Sequence, residues 1–468
     1  MAPASASRLI SNDLYTLLGR ELGASRVLRD EEKLDRYGRD ESGLGLFPAD
    51  AAVLAESAEE VKLVLRLCAE HKVPVTPRGW GTGMTGGCLP VRGGVVLSTE
   101  RMTKILELDT DEMIAVVEPG VITGDLQKAA EEVGLFYPPD PASLASCSLG
   151  GNIAENAGGP RAFKYGTTRE YVLGLDCVQM GGESFRCGRR TVKGVTGYDV
   201  TAAIVGSEGT FAVATSITLR LLPHPAGVGT LLATFPDAVA AGAAVGGLLK
   251  AGLLPRAIEL LDRSTLEHMR QKGHRLPATA NALLVIEVDG APEGIDAEVE
   301  RAGEACDRAG AIEIVVARSE SERRQIWDTR RLVNPTLRDM HRRKVPEDIV
   351  VPRRAIPEMI RRVDQISAET NLLSAVYGHA GDGNLHVNFL VDEPEDVVHD
   401  RLERAMDATM RATLELGGTL AGEHGVGLLK MKYMPWEQSP PLLRIQREMK
   451  RLFDPLDLLN PGKILPAP

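Results

Sequence analysis

Four residues in the second half of the chain combine the side chains that bind a divalent metal. His379 and His386 lie seven positions apart in one glycine-rich stretch, and Glu423 and His424 are neighbours in another. Two imidazoles and one carboxylate, His379, His386 and Glu423, form a three-ligand set that leaves a position for substrate. Neighbours in an extended turn point in different directions, so Glu423 could hold the metal while His424 addresses the substrate. The residues alone leave several permutations of ligand and base open.

The spacing of glycines predicts the local structure around the two histidines. Gly378, Gly381 and Gly383 make a helix improbable between them, so we expect His379 on a turn. Residues 385–390 then alternate as a strand, which places His386 and Asn388 on one face. The second site, residues 422–427, is also a glycine-rich turn without the apolar periodicity of a core segment.

Composition indicates a globular protein and excludes several classes of partner. The chain has 468 residues and a formal net charge of -11, with dispersed basic residues, which argues against nucleic acid. Its six cysteines form no CxxC pair, so we expect reduced thiols and no built-in iron–sulfur cluster. No stretch approaches the run of about 20 apolar residues that spans a bilayer. The expected location is the cytoplasm, with peripheral attachment to a membrane as an alternative.

Apolar periodicity predicts an α/β domain followed by a helix-rich α+β domain. A helix at 59–71 and a strand at 73–77 precede a glycine-rich loop, and strands at 94–98 and 114–118 and a helix at 123–133 follow. Beyond Pro223-His-Pro225 we expect strands at 229–235 and 282–289, with helices at 236–251 and 292–309. The predicted divisions are an N-terminal segment at 1–45, a first domain at 46–225, a cap domain at 226–425 and a C-terminal segment at 426–468.

Three glycine-rich regions of the first domain predict a phosphorylated ligand. Residues 77–87, Pro-Arg-Gly-Trp-Gly-Thr-Gly-Met-Thr-Gly-Gly, contain five glycines directly after a strand. Such a loop can turn several backbone N–H groups toward a phosphate. The loop is neither a GxGxxG fingerprint opening a helix nor a P-loop, and a purely structural glycine loop is the alternative. Further small-residue stretches at 149–159 and 206–210 make a pyrophosphate ligand the better interpretation.

The order of these motifs carries a family resemblance. Arg78-Gly-x-Gly-Thr-Gly, Pro138-Pro-Asp-Pro, Gly150-Gly-Asn-x-Ala-x-Asn-Ala-Gly-Gly and Gly206-Ser-Glu-Gly-Thr together resemble the FAD-binding domain of the vanillyl-alcohol-oxidase (p-cresol methylhydroxylase) type flavoproteins. Over nearly its full length the chain is similar to the D-lactate, glycolate and D-2-hydroxyglutarate dehydrogenases. The resemblance implies an α+β fold with an FAD-binding domain, an α+β substrate cap and a C-terminal tail that returns to the flavin. Trp80 and Ala212 depart from the smaller residues usual in the family.

The resemblance also implies which residues bind FAD, here without a covalent histidyl link. The tail motif Asn460-Pro-Gly-Lys463 is included because it resembles the closing motif of the family. The predicted cofactor-binding residues are Pro77, Arg78, Gly79, Gly81, Thr82, Gly83, Pro139, Asp140, Gly150, Gly151, Asn152, Asn156, Gly158, Gly159, Gly206, Glu208, Gly209, Asn460 and Lys463.

By the same likeness, His379, His386 and Glu423 bind a divalent metal and His424 is the catalytic base. Zinc is the first choice, with manganese or iron as alternatives. Arg330 matches the arginine that the family uses for the substrate carboxylate, and a guanidinium can pair with a carboxylate bidentately.

Lys344 is a candidate for a second, distal carboxylate, and Asn388 for substrate binding. The implied reaction is oxidation of a D-2-hydroxy acid: the metal lowers the pKa of the hydroxyl group, His424 takes its proton, and a hydride passes to flavin N5.

Several substrates and electron acceptors are compatible with this pattern. A D-lactate-like acid is the expected substrate, with D-2-hydroxyglutarate or glycolate as alternatives. Electrons are expected to pass to an external acceptor, namely an iron–sulfur subunit, an electron-transfer flavoprotein, a quinone or a cytochrome. An oxygen-reducing oxidase and a non-catalytic FAD-binding subunit are the competing functions, and a homodimer is a further expectation.

Overall fold

The protein forms two compact units in a computed structural model, which describes residues 9–467. Unit one contains the described residues up to Gly158, then Thr167–His224 and the segment from Glu423 onward. Unit two contains Gly159–Gly166 and Pro225–Gly422. Residues 159–166 belong to unit two although the cap domain was predicted at 226–425. Glu423 belongs to unit one although it lies within those predicted cap boundaries.

Helices and strands alternate in unit one, and unit two adds longer helices. The helices are α1 Asn12–Leu22, α2 Glu31–Leu34, α3 Ala58–Glu70, α4 Thr123–Glu132, α5 Leu149–Glu155, α6 Ala162–Tyr165, α7 Val200–Ile204, α8 Ala238–Lys250, α9 Arg263–Gln271, α10 Pro292–Arg308, α11 Glu320–Arg331, α12 Val333–Met340, α13 Ile356–Thr370, α14 Glu395–Glu415, α15 Met434–Glu437 and α16 Pro440–Phe453. The strands are β1 Val27–Leu28, β2 Ala51–Leu54, β3 Val75–Arg78, β4 Val95–Ser98, β5 Ile105–Asp109, β6 Ile114–Val117, β7 Leu135–Phe136, β8 Val172–Val178, β9 Ser184–Gly188, β10 Val213–Arg220, β11 Leu222–Pro223, β12 Gly227–Phe235, β13 Ala257–Leu261, β14 Ala282–Gly290, β15 Glu313–Val316, β16 Arg343–Val350, β17 Leu373–His379 and β18 Asn384–Val391.

Unit one is built on two main sheets. The first has the order β1-β2-β4-β3, with parallel pairing of β4 to both β2 and β3. The second is antiparallel, with the order β5-β6-β10-β8-β9. Helix α3 begins at Ser57, whose side chain caps the Glu60 amide, and buries Val61, Val64 and Leu65. Its apolar stripe joins the core beside the first sheet.

The C-terminal segment pairs with the first sheet of unit one. The Val75 amide donates to the Leu458 carbonyl at 2.7 Å, and the Asn460 amide donates to the Val75 carbonyl at 2.7 Å. A parallel bridge joins Val75 to Leu459, which is fully buried. The residues that follow β3 and the closing residues of the chain are therefore held side by side.

Unit two is a seven-stranded antiparallel sheet with the order β15-β12-β14-β13-β17-β18-β16. Its core includes Leu283 and Val285 of β14 and Ala375 of β17, packed with residues of α9, α11 and α12. The short helix α6 is held to this sheet because Lys164 and Tyr165 both donate to the buried Asp289 carboxylate. Among residues 9–467, no helix is long and apolar enough to cross a membrane.

One helix was not predicted from the sequence, and one local expectation, a turn at His379, is wrong. The glycine-rich stretch after Ser148 contains helix α5, although two glycines disfavour a helix. Ser148 caps its start, Asn156 ends it in the left-handed conformation (φ 57°), and Leu149 and Ile153 are buried. His379 is the last residue of strand β17 and not part of a turn, because its pairing with Glu259 and Asn384 extends the sheet to that position.

Candidate functional site

In unit one, the glycine-rich loop after β3 presents backbone amides without partners. Within residues 9–467, the six amides from Gly79 to Met84 donate no hydrogen bond. A Cβ on Gly79 would lie 2.3 Å from Ser148 Oγ, so only glycine allows this close approach of the loop to α5. A run of unused N–H groups beside the Arg78 guanidinium fits the oxygens of a pyrophosphate.

Two asparagines, Asn152 within helix α5 and Asn156 at its C-terminal end, bind the helix to neighbouring segments. The Asn152 side chain donates to Thr123 Oγ1 at 2.7 Å. The Asn156 Oδ1 accepts from the Arg169 amide at 2.9 Å and from Thr167 Oγ1 at 3.0 Å. Both side chains therefore bind protein atoms and set the shape of the loop.

The turn at 206–209 contacts both α5 and the C-terminal segment. The Gly206 amide donates to the Ile153 carbonyl at 2.8 Å. The buried Glu208 carboxylate accepts from the amides of Val426 at 2.7 Å and Gly427 at 2.8 Å. Burial raises the pKa of Glu208. Glu208 thus fixes the chain directly after the predicted Glu423-His424 pair.

Asn460 and Lys463 connect the predicted cofactor loops to one another. The Asn460 side-chain amide donates to the carbonyls of Gly87 at 2.9 Å and Glu208 at 2.7 Å. The Lys463 ammonium donates to the Leu89 carbonyl at 2.6 Å and to Asn460 Oδ1 at 3.1 Å, and burial lowers its pKa to about 8. In this structure both tail side chains hold the loops.

A further group in this region has no partner. The Glu155 Oε2 is buried and makes no hydrogen bond. Burial, reinforced by the Glu208 carboxylate, raises the pKa of Glu155 well above its usual value. A protonated carboxyl group can donate to a ring nitrogen or carbonyl oxygen of a ligand. The unused amides and the orphaned Glu155 oxygen fit a cofactor that combines a pyrophosphate with a polar ring system, as FAD does.

Other predicted cofactor residues lie in the same unit, with one exception. The Arg78 guanidinium is buried and contacts Cys88 Sγ at 3.1 Å. The Pro139 carbonyl accepts from the Gln127 side chain at 2.8 Å. Gly159 belongs to unit two. Gly81, Thr82 and Gly83 belong to the run of unused amides, and Gly209 lies near Pro77. Gly150 and Gly151 lie in α5. In the sequence, Asp140 precedes this helix and Gly158 follows it.

In unit two, a buried carboxylate joins two of the predicted functional residues. Glu259 on β13 is fully buried and lies directly opposite His379 on β17. Its Oε1 lies 2.5 Å from His379 Nδ1, and its Oε2 accepts from Arg330 Nε at 2.6 Å. The Arg330 guanidinium also lies 4.8 Å from the centroid of the Tyr377 ring. One carboxylate therefore orients a predicted metal ligand and the predicted substrate arginine.

His386 lies on the adjacent strand, close to His379. The two imidazole centroids are 5.3 Å apart with perpendicular rings. Asp348 on β16 is paired with His386 in register, and its Oδ1 lies 3.8 Å from His386 Nδ1. The other oxygen of Asp348 accepts from the Gly422 amide at 2.9 Å. The end of unit two is thereby anchored beside His386.

Lys344 and Asn388 form the remaining part of this cluster. The Lys344 ammonium donates to Asn388 Oδ1 at 2.8 Å and to the Tyr377 hydroxyl group at 3.3 Å. Burial, with smaller contributions from Arg338 and Arg330, lowers the pKa of Lys344 to about 7. His386 and Asn388 alternate along β18, so the predicted shared face is confirmed. One face of the sheet thus carries His379, His386 and Lys344, and Arg330 of α11 contacts the same face through Glu259 and Tyr377.

Glu423 and His424 begin the C-terminal segment of unit one and are half-buried. The His424 carbonyl accepts from Thr85 Oγ1 at 3.0 Å, which ties this turn to the first glycine-rich loop. Their participation in one centre with His379 and His386 stays a prediction.

Sequence reasoning missed Glu259, Asp348 and Tyr377. A signal for Glu259 was present, because a glutamate interrupts the apolar run Ala257-Ile-Glu-Leu-Leu261 and a buried charge needs a partner. Its partners stand 71 and 120 positions away, which no local pattern reveals.

Comparison with known proteins agrees with both halves of this description. Residues 49–188 match the family described as "FAD binding domain", and residues 224–464 match "FAD linked oxidases, C-terminal domain". The chain is 39% identical over 418 residues to a glycolate oxidase subunit GlcD of Bacillus subtilis, which covers 89% of this chain and 88% of that protein. It is 34% identical over 455 residues to a D-lactate dehydrogenase of Anaerostipes hadrus (95% and 96% covered) and 35% over 451 residues to one of Archaeoglobus fulgidus (94% and 98% covered).

Among solved structures, p-cresol methylhydroxylase with bound substrate matches with a TM-score of 0.81 at 18% identity, covering 97% of this chain and 96% of that one. This likeness confirms the predicted fold class, an α+β FAD-binding domain with a second α+β domain. The chain therefore belongs to the FAD-linked oxidases, has the fold of p-cresol methylhydroxylase, and is an FAD-linked oxidoreductase related to glycolate oxidase subunits and D-lactate dehydrogenases.

Proposed function

We propose that this protein oxidises a D-2-hydroxy acid to the corresponding 2-oxo acid, with a divalent metal held by His379, His386 and Glu423. The observation that carries the proposal is the cluster on the unit-two sheet. Two imidazoles stand 5.3 Å apart beside a guanidinium and an amine of low pKa. Relatives named glycolate oxidase subunit and D-lactate dehydrogenase point to the same substrate class.

The ligand set suits a metal that must also accept substrate. Glu259 occupies the Nδ1 side of His379, so the metal bond would be made through Nε2. Three protein ligands of nitrogen and oxygen type fit zinc, and manganese or iron are alternatives. A metal ion bound there supplies a Lewis acid for the substrate hydroxyl group.

Covalent continuity supports the inclusion of Glu423. Gly422 donates to Asp348, whose other oxygen lies 3.8 Å from His386 Nδ1. Glu423 follows by one peptide bond, and consecutive Cα atoms are about 3.8 Å apart. The Glu423 carboxylate therefore belongs to the residue directly after Gly422, which is held beside His386, and His424 follows by one more residue.

The residues of the chain would then divide the chemistry. Arg330, with its Nε held by Glu259, binds the carboxylate of the acid through its terminal nitrogens and fixes its orientation. His424 takes the hydroxyl proton as general base. The glycine-rich loops of unit one would hold FAD, which would supply the acceptor for the hydride equivalent. Electrons leave to a separate acceptor, for which the name "subunit" among the relatives suggests a partner protein.

A D-lactate-like acid is the first candidate for the substrate, and glycolate is a close alternative. One observation favours a second candidate, an acid with a distal carboxylate such as D-2-hydroxyglutarate. Lys344 lies beside Tyr377 and Asn388 and would gain its charge on pairing with a second carboxylate. Replacing Lys344 by methionine should raise KM for such a diacid and leave KM for D-lactate unchanged.

The test is a panel of D- and L-2-hydroxy acids with a dye acceptor, run before and after treatment with a chelator. The proposal expects turnover of D-acids that is lost on chelation and restored by zinc or manganese. Turnover of L-acids alone would contradict the stereochemical assignment. Stopped-flow reoxidation of the reduced protein in air separates a dehydrogenase from an oxidase, because fast peroxide formation would contradict a separate acceptor.

A further inference from the structure

We infer that Glu259 is a positioning residue that makes metal binding and substrate-carboxylate binding depend on one buried carboxylate. The inference rests on the proposed function, since it concerns the roles proposed for His379 and Arg330. Glu259 is not one of the proposed metal ligands, the proposed base or a proposed substrate-binding residue.

The contacts of Glu259 are unusually specific for a buried acid. Both oxygens are used once each at short distance, at 2.5 Å to His379 Nδ1 and 2.6 Å to Arg330 Nε. The register of β13 and β17 places Glu259 directly opposite His379. The strand pairing therefore determines which residue supports the imidazole.

The chemistry of these contacts fixes two orientations together. Arg330 pairs with the carboxylate, so the group is charged and can only accept. His379 must then carry its hydrogen on Nδ1, which leaves Nε2 as the ring nitrogen that would bind a metal ion. Arg330 is held at Nε, which directs its two terminal nitrogens as a pair.

A glutamine at this position could satisfy only one of the two partners. Its carbonyl oxygen would accept from either His379 or Arg330, and its amide NH₂ group would face the other donor. The replacement is nearly isosteric, so packing is preserved while one orientation is lost. We expect metal affinity to fall and KM for the acid to rise.

Glu287 offers a matched control on the adjacent strand β14. It is also buried, and it accepts from Trp327 Nε1 at 2.6 Å and from Thr230 Oγ1 at 2.7 Å. Arg256 lies 3.2 Å away as its ionic partner. Glu287→Gln therefore removes an equally buried charge of the same sheet without touching His379 or Arg330.

The experiment uses the full-length FAD-loaded protein, stripped of metal and titrated with Zn²⁺ against a competing chelator dye. We expect Glu259→Gln to weaken zinc affinity by about 10- to 100-fold, the range seen when such supporting groups are removed. KM for the D-2-hydroxy acid should rise as well, while Glu287→Gln leaves zinc affinity and KM unchanged. Glu259→Asp, which keeps the charge but cannot span both partners, should also weaken zinc binding and serves if the glutamine variant does not fold.

Two results would overturn the inference. One is wild-type zinc affinity in Glu259→Gln or in Glu259→Asp, and the other is an equal loss in Glu287→Gln, which would indicate a general effect of buried charge. A wild-type protein that binds no zinc would be a different outcome, because it would refute the metal-assisted function itself.

Discussion

Replacing Lys344 by methionine should stabilise the protein at neutral pH, and the gain should shrink as the pH rises. Burial and the nearby Arg338 and Arg330 lower the pKa of Lys344 from 10.5 to about 7. Below pH 7 the amine is charged in both the folded and the unfolded chain, so its cost to stability is fully present. Between pH 7 and 10.5 only the unfolded chain keeps the proton, and stability rises with pH until the cost is gone.

The structure sets the size of this effect. The difference between 10.5 and about 7, at about 1.4 kcal/mol for each pH unit, gives an upper limit of about 5 kcal/mol. Lys344 is only partly enclosed and keeps hydrogen bonds to Asn388 and Tyr377. We therefore expect a stabilisation of about 2 kcal/mol near pH 7, after solvent screening and the lost hydrogen bonds.

Urea unfolding of wild type and Lys344→Met at several pH values from about 6.5 to about 10 measures the effect. The difference in the free energy of unfolding should be largest at the lowest pH and should decline steadily above pH 7. The exposed Lys128 provides the control, because Lys128→Met should show no such decline. A difference that stays constant with pH would refute the argument that burial has depressed this pKa.

Other predictions concern the base and the cofactor loop. His424→Ala should slow flavin reduction by about 10²- to 10⁴-fold with FAD content unchanged, as measured by anaerobic stopped flow, because a general base is lost; an undiminished rate would contradict the assignment. Gly79→Ala should weaken FAD affinity by about tenfold, since the new Cβ would displace Ser148, which caps α5. Gly246→Ala, at a helical site with nothing within 4 Å of a new Cβ, should leave FAD affinity unaltered. Equal FAD affinity in the two variants, measured by flavin fluorescence titration, would contradict the assignment of the pyrophosphate site to the loop after β3.

Much of the fold could be predicted because its signals are local. The helix expected at 59–71 is Ala58–Glu70, since its apolar stripe and the Ser57 cap agree. The strand and helix expected at 282–289 and 292–309 are Ala282–Gly290 and Pro292–Arg308, with proline at the helix start. Helix α5 could not be predicted from composition, because its glycines disfavour a helix and its stability comes from tertiary burial of Leu149 and Ile153.

In the candidate site too, the features with local sequence patterns could be predicted, whereas contacts between separate segments could not. The sequence pattern alone identified the histidines, and the strand alternation of His386 and Asn388 is confirmed. The sequence could not show that Asn152, Asn156 and Asn460 would direct their side chains to protein atoms, because their partners lie 29, 13 and 252 positions away. Glu259 was missed for the same reason, since a pairing across 120 residues exists only after the sheet has formed.

Metal-assisted oxidation of a D-2-hydroxy acid is tested by anaerobic reduction of the bound flavin with D- and L-lactate, in protein with and without its metal. We expect D-lactate to bleach the flavin absorbance, chelation to abolish this bleaching, and zinc or manganese to restore it. Reduction at the same rate after complete metal removal would contradict the metal-assisted centre. Failure of every D-2-hydroxy acid in the panel to reduce the flavin would contradict the proposed substrate class.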